Sequence, residues 1–104
     1  MIKVKLTKNS NNIKNITIKG HALYDDFGKD IVCAAVSSCV ITSVNALLSI
    51  DDKCISYNDN EGLEIEVLAN DEVTTKIINN MVTNLKELEK AYPKNIQIKE
   101  ENNE

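Results

Sequence analysis

The sequence contains a single histidine, His21, and its three cysteines, Cys33, Cys39 and Cys54, include no Cys-x-x-Cys pair. A zinc site draws on several nitrogen or sulfur ligands at short recurring spacings, so no metal and no cofactor is expected here. An odd number of cysteines separated by 6 and 15 positions is not a disulfide framework either, which leaves thiol chemistry or core packing to account for them. There is no block of consecutive basic residues, the net charge is -4 and the pI is near 5.0. The chain therefore lacks an electrostatic footprint for phosphate backbones, and direct nucleic-acid binding is not expected. The opening Met-Ile-Lys-Val-Lys-Leu alternates apolar and charged residues where a secretory signal would need a continuous apolar core, so the protein is expected in the cytoplasm. Charge is also missing from Ile31 to Ile50, a run long enough to span a bilayer. Ser37, Ser38, Thr42, Ser43, Asn45 and Ser49 interrupt it, and their polar groups would be costly in lipid. The run is read instead as a helix buried on most sides of a soluble protein, with no membrane partner.

What is present suffices for one core. With 104 residues, 42% of them hydrophobic, the chain reads as one domain, 1-104. Ile2, Val4 and Leu6 alternate with polar residues, and Ile16 and Ile18 repeat the pattern after Asn11-Asn12, which predicts a hairpin. Gly20 to Lys29 has neither helical nor strand period and reads as a loop, with Tyr24, Asp25, Asp26 and Phe27 forming either a solvated surface or a lid over a substrate. A helix is predicted from about Ile31, with Asp30 as its N-cap. Cys54 to Tyr57 and Leu63 to Val67 form a second hairpin around Asn58-Asp59-Asn60-Glu61-Gly62. Val73, Ile77, Ile78, Met81, Val82, Leu85, Leu88 and Tyr92 then recur at helical spacing until Pro93 ends the helix. Ile96 and Ile98 make a short last strand, and residues 100-104 are expected to fray. The order ββαββαβ predicts an α+β fold, a mostly antiparallel sheet carrying two main helices.

The chemistry concentrates between Gly20-His21-Ala22 and Gly28-Lys29-Asp30-Ile31-Val32-Cys33. A thiol is a strong nucleophile only as thiolate, and a place in the first helical turn lowers its pKa through free N-H groups and the helix dipole. A helix starting at Ile31 puts Cys33 there, with neighbouring N-H groups available as an oxyanion hole. His21, folded back by the intervening loop, is the candidate base and proton donor. Ser37, one turn after Cys33, would bond the thiolate, the substrate or simply the carbonyl one turn back. Asp30 would cap the helix, orient His21, or both, while Gly20 and Gly28 serve turns.

Gly20-His21-Ala22, a short loop, then Gly-x-Asp-Ile-Val-Cys-Ala-Ala-Val-Ser at 28-37 and Asn45-Ala46-Leu47 resemble the bacterial ribosomal-processing cysteine proteases. The resemblance is nearly continuous from Gly20 to Leu47. It implies a catalytic dyad of His21 and Cys33 supported by Gly20, Asp30 and Ser37. It implies a dimeric enzyme that removes the N-terminal extension of a large-subunit ribosomal protein, the precursor being the substrate. Cys39 is not a residue the motif leads one to expect. Two other functions stay open on the residues alone: a non-catalytic ribosome-associated interaction module, and a thiol-redox protein, the latter disfavoured by the missing Cys-x-x-Cys spacing.

Overall fold

Alternation of apolar and polar residues builds the sheet. The computed structural model describes residues 1–20, 27–60 and 62–102, with the backbone alone at 27–30. β1 (Ile2–Asn9) and β2 (Asn12–Lys19) pair antiparallel around Ser10 and Asn11, whose φ values of 54° and 68° are those of a tight primed turn. After α1 (Phe27–Ile50), β3 (Ile55–Asn58) and β4 (Leu63–Val67) form a second antiparallel hairpin. α2 (Glu72–Ala91) leads to β5 (Ile96–Asn102), which returns parallel to β1. The five strands lie in the order β3-β4-β2-β1-β5, so the α+β fold with element order ββαββαβ and a mostly antiparallel sheet is what the chain adopts.

One face of the sheet is apolar. Leu6, Ile16, Ile18 and Ile65 are fully buried there and share a core with Val32, Val36, Val40, Val44 and Leu47 of α1 and Ile78, Met81 and Leu85 of α2. α2 starts at Asp71, whose carboxylate accepts the Thr74 N-H at 2.8 Å, and stops where Pro93 forces Tyr92 to φ -132°, ψ 62°.

Three expectations are corrected. α1 begins at Phe27, not Ile31, so the last residues assigned to the Gly20 to Lys29 loop, Gly28 among them, are helical. α1 is buried along one stripe only, and Ile31, Ile41, Leu48 and Ile50 are exposed. Its outward line, Ala34, Ser38, Thr42, Asn45 and Ser49, is uncharged and, Ala34 apart, polar, which is why the absence of charge suggests burial on most sides. Ile31–Ile50 is the one stretch among the described helices that is long and apolar enough to cross a membrane, a test that a core helix also passes. The third correction concerns Glu100 to Asn102, which extend β5 instead of fraying: Glu100 accepts Lys8 at 2.7 Å and Lys86 at 3.5 Å, and Glu101 meets Lys5 at 3.4 Å. Lysines on β1 and α2 thus hold acids that looked solvated.

Candidate active site

The chain leaves the sheet at Gly20, immediately after β2. Its φ is 84°, and an added Cβ would collide with the Met1 carbonyl oxygen, so only glycine permits this exit beside the start of β1. His21 and the rest of the expected lid up to Asp26 lie outside the described residues, as does the side chain of Asp30. Because α1 starts at Phe27, Asp30 is inside the helix and cannot be its N-cap. An aspartate near a helix start is favoured at either place, since the cap and the first turn both reward negative charge.

The same boundary moves Cys33. It is the seventh residue of α1 and sits in the second turn, where its N-H belongs to the helical ladder. The dipole effect fades within the first turn, so the helix itself does little to lower the pKa of a thiol at this place, and the unsatisfied N-H groups lie nearer Phe27 to Lys29.

The three thiols differ in surroundings. Cys54 is buried and donates to the Leu47 carbonyl at 3.4 Å, and Cys39 donates to the Met81 carbonyl at 3.8 Å on the flank of α1 facing α2. Burial pushes the pKa of both upward, with the charges of Asp51 and Asp71 adding to the effect at Cys54 and a Thr74 hydrogen bond opposing it. Cys33 is half-buried on the other flank. Six residues of helix separate Cys33 from Cys39, about 9 Å of rise at 1.5 Å per residue, beyond the reach of a disulfide. That geometry argues against a redox pair.

Ser37 follows Cys33 by one turn in the same row and is half-buried. Ser43 and Ser49 return their hydroxyls to the carbonyls of Cys39 and Ala46, at 2.9 and 2.8 Å. Ser37 makes no such bond among the described residues, and it lines a cleft of about 330 Å³ together with Ile41, Tyr57, Asp59, Gly62 and Leu63. Sequence reasoning missed this cleft. Tyr57 and Leu63 were read as strand residues and Asp59 as a turn residue. The available signal was an inward-facing tyrosine near the end of a strand, next to an acidic turn. A thiol one turn from an open cleft, with an uncommitted hydroxyl between them, suits attack on an extended chain once a base stands beside the sulfur.

The family model for the cysteine protease Prp matches residues 1–97. The ribosomal processing cysteine protease Prp of Staphylococcus aureus is 33% identical over 103 residues, covering 94% of this chain and 97% of its own. The crystal structure of the S. aureus ribosomal processing protease Prp with a substrate peptide superposes with a TM-score of 0.88 at 28% identity, covering 97% of this chain and all of that one. The same enzyme with a covalently linked product peptide gives a TM-score of 0.85 at 30% identity, with the same coverage.

Proposed function

The chain belongs to the Prp family of cysteine proteases, and from that premise we propose that it removes the N-terminal extension of a large-subunit ribosomal protein, using Cys33 as nucleophile and His21 as base. The observation that carries this reading is the place of Cys33: it heads the row of α1 that runs into the cleft, whereas Cys39 lies on the flank facing α2 and Cys54 is buried beneath the helix end. The covalently linked product peptide of the S. aureus relative supports a covalent route.

In this mechanism His21 takes the thiol proton and the sulfur attacks the scissile carbonyl carbon, forming a tetrahedral oxyanion. The oxyanion collapses, the C-N bond breaks, and the imidazolium gives its proton to the leaving amine. A water molecule, deprotonated by the imidazole, then cleaves the thioester and restores the thiol as the extension departs with a carboxylate. No cofactor enters the balance. Gly20 sets the exit towards His21, Ser37 offers its hydroxyl to the substrate, and Asp30 supports the site from the first turn of α1.

The working form is a homodimer in the cytoplasm, without nucleic acid or membrane as partner. Support for the dimer is the outward face of α1, free of charge from Ile31 to Ile50, since depletion of charge marks the centre of interfaces. Support for the absence of a membrane partner is that Val32, Val36, Val40, Val44 and Leu47 of α1 are buried against the sheet and α2.

Incubation with the ribosomal protein precursor, followed by intact mass, tests the function. The parent should remove the extension, while Cys33→Ala and His21→Ala should each lose on the order of 10³-fold or more in rate. Undiminished processing by Cys33→Ala would overturn the catalytic assignment. Binding of the precursor without cleavage by any form would favour a non-catalytic interaction module.

A further inference from the structure

Helical geometry sets Cys33, Ser37 and Ile41 in a single row, each about 6 Å further along the axis of α1. The cleft faces the second and third members, so its centre lies about 9 Å from Cys33 along the helix. An extended polypeptide covers roughly 3.3 Å per residue, so a substrate attacked at Cys33 reaches the cleft about three residues from the scissile bond. Ile41, Tyr57 and Leu63 give the cleft apolar walls, and Asp59 stands exposed at its rim. Asp59 forms no ion pair among the described residues. Its charge is felt inside the cleft: burial first, and then Asp59, pushes the Tyr57 hydroxyl above its ordinary pKa.

We propose that this cleft is a specificity subsite, in which Ile41, Tyr57 and Leu63 hold an apolar substrate side chain about three residues from the scissile bond and Asp59 pairs with an adjacent lysine or arginine. The assignment rests on the proteolytic reading above and adds a sequence preference to it. The occupant is the substrate chain itself, because the cleft continues the row that begins at the attacking sulfur. A cationic side chain is the complement of Asp59, which stands exposed at the rim without an ion pair among the described residues.

The test uses quenched fluorescent peptides spanning the cleaved junction, with one lysine walked through the four positions on each side of the scissile bond in an otherwise uncharged background. With the parent enzyme, kcat/KM should peak when lysine lies about three or four residues away on one side. Asp59→Asn should lower that peak about threefold through KM, and Asp59→Lys about tenfold, with glutamate now preferred at the same position. Cleavage by the parent with an identical profile in Asp59→Lys would overturn the subsite and leave the protease standing. Failure of the parent to cleave any peptide counts against the protease reading, and anisotropy of the same labelled peptides on Cys33→Ala then decides the subsite. A lysine preference reversed by Asp59→Lys sustains it, and indifference to that change overturns it.

Discussion

Cys33, Cys39 and Cys54 look alike as letters and differ in what surrounds them. The thiolate is the reactive form, so the upward shift that burial imposes on Cys39 and Cys54 makes both slow towards electrophiles near neutral pH. Brief treatment of the native protein with iodoacetamide at pH 7, followed by peptide mapping, should therefore label Cys33 at least about tenfold faster than either of the others. Preferential labelling of Cys39 or Cys54 would contradict the division of roles. At this scale the sequence singles out Cys33, because its place after Gly28-Lys29-Asp30-Ile31-Val32 carries the family motif. It was uninformative about Ser37: whether a helical serine bonds back to its own backbone depends on rotamer and surroundings. Ser43 and Ser49 took that option and Ser37 did not.

At the scale of elements, amphipathic α2 and the alternating strands were legible because buried and exposed positions differ in polarity, as Ile78, Met81 and Leu85 do from Lys76 and Lys86. α1 was legible as a helix but not in its start or its burial, since Ser38, Thr42 and Asn45 face outward without charge and the helix begins four residues before Ile31. The capping aspartate of α2, Asp71, was not singled out, although it begins a run of Asp-Glu-Val-Thr before an apolar series. Hydrogen bonds from the Thr74 N-H and hydroxyl hold the Asp71 carboxyl below the usual carboxylate range. A depressed folded-state pKa gives stability that is present above the unfolded value of about 3.9 and is lost as pH falls through the folded value. Thermal melts should accordingly show Asp71→Ala destabilised at pH 7, and the gap to the parent should close as pH is lowered below about 4. A gap that widens on acidification would contradict this linkage.

At the scale of the whole molecule, the sheet order β3-β4-β2-β1-β5 could not be read from spacing, because the return of β5 beside β1 depends on non-local pairing. Nor could the cleft, whose walls come from α1 and the β3–β4 hairpin, brought together only by folding. The order of the elements was legible from periodicity and turn residues. The proposed dimer also belongs here. If the uncharged line of α1 is the contact, Asn45→Arg places a charge at its centre, and sedimentation at micromolar concentration should shift from dimer to monomer while the far-ultraviolet spectrum is retained. A parent that sediments as a monomer throughout would remove the dimer from the account.

Whether the sulfur of Cys33 carries the acyl group is decided by mixing enzyme and precursor, quenching in acid within the first turnover, and mapping the enzyme by mass. An adduct equal to the removed extension less one water is expected on the Cys33 peptide and absent from Cys33→Ala. An adduct on Cys39 or Cys54, or full turnover by Cys33→Ala, would contradict it.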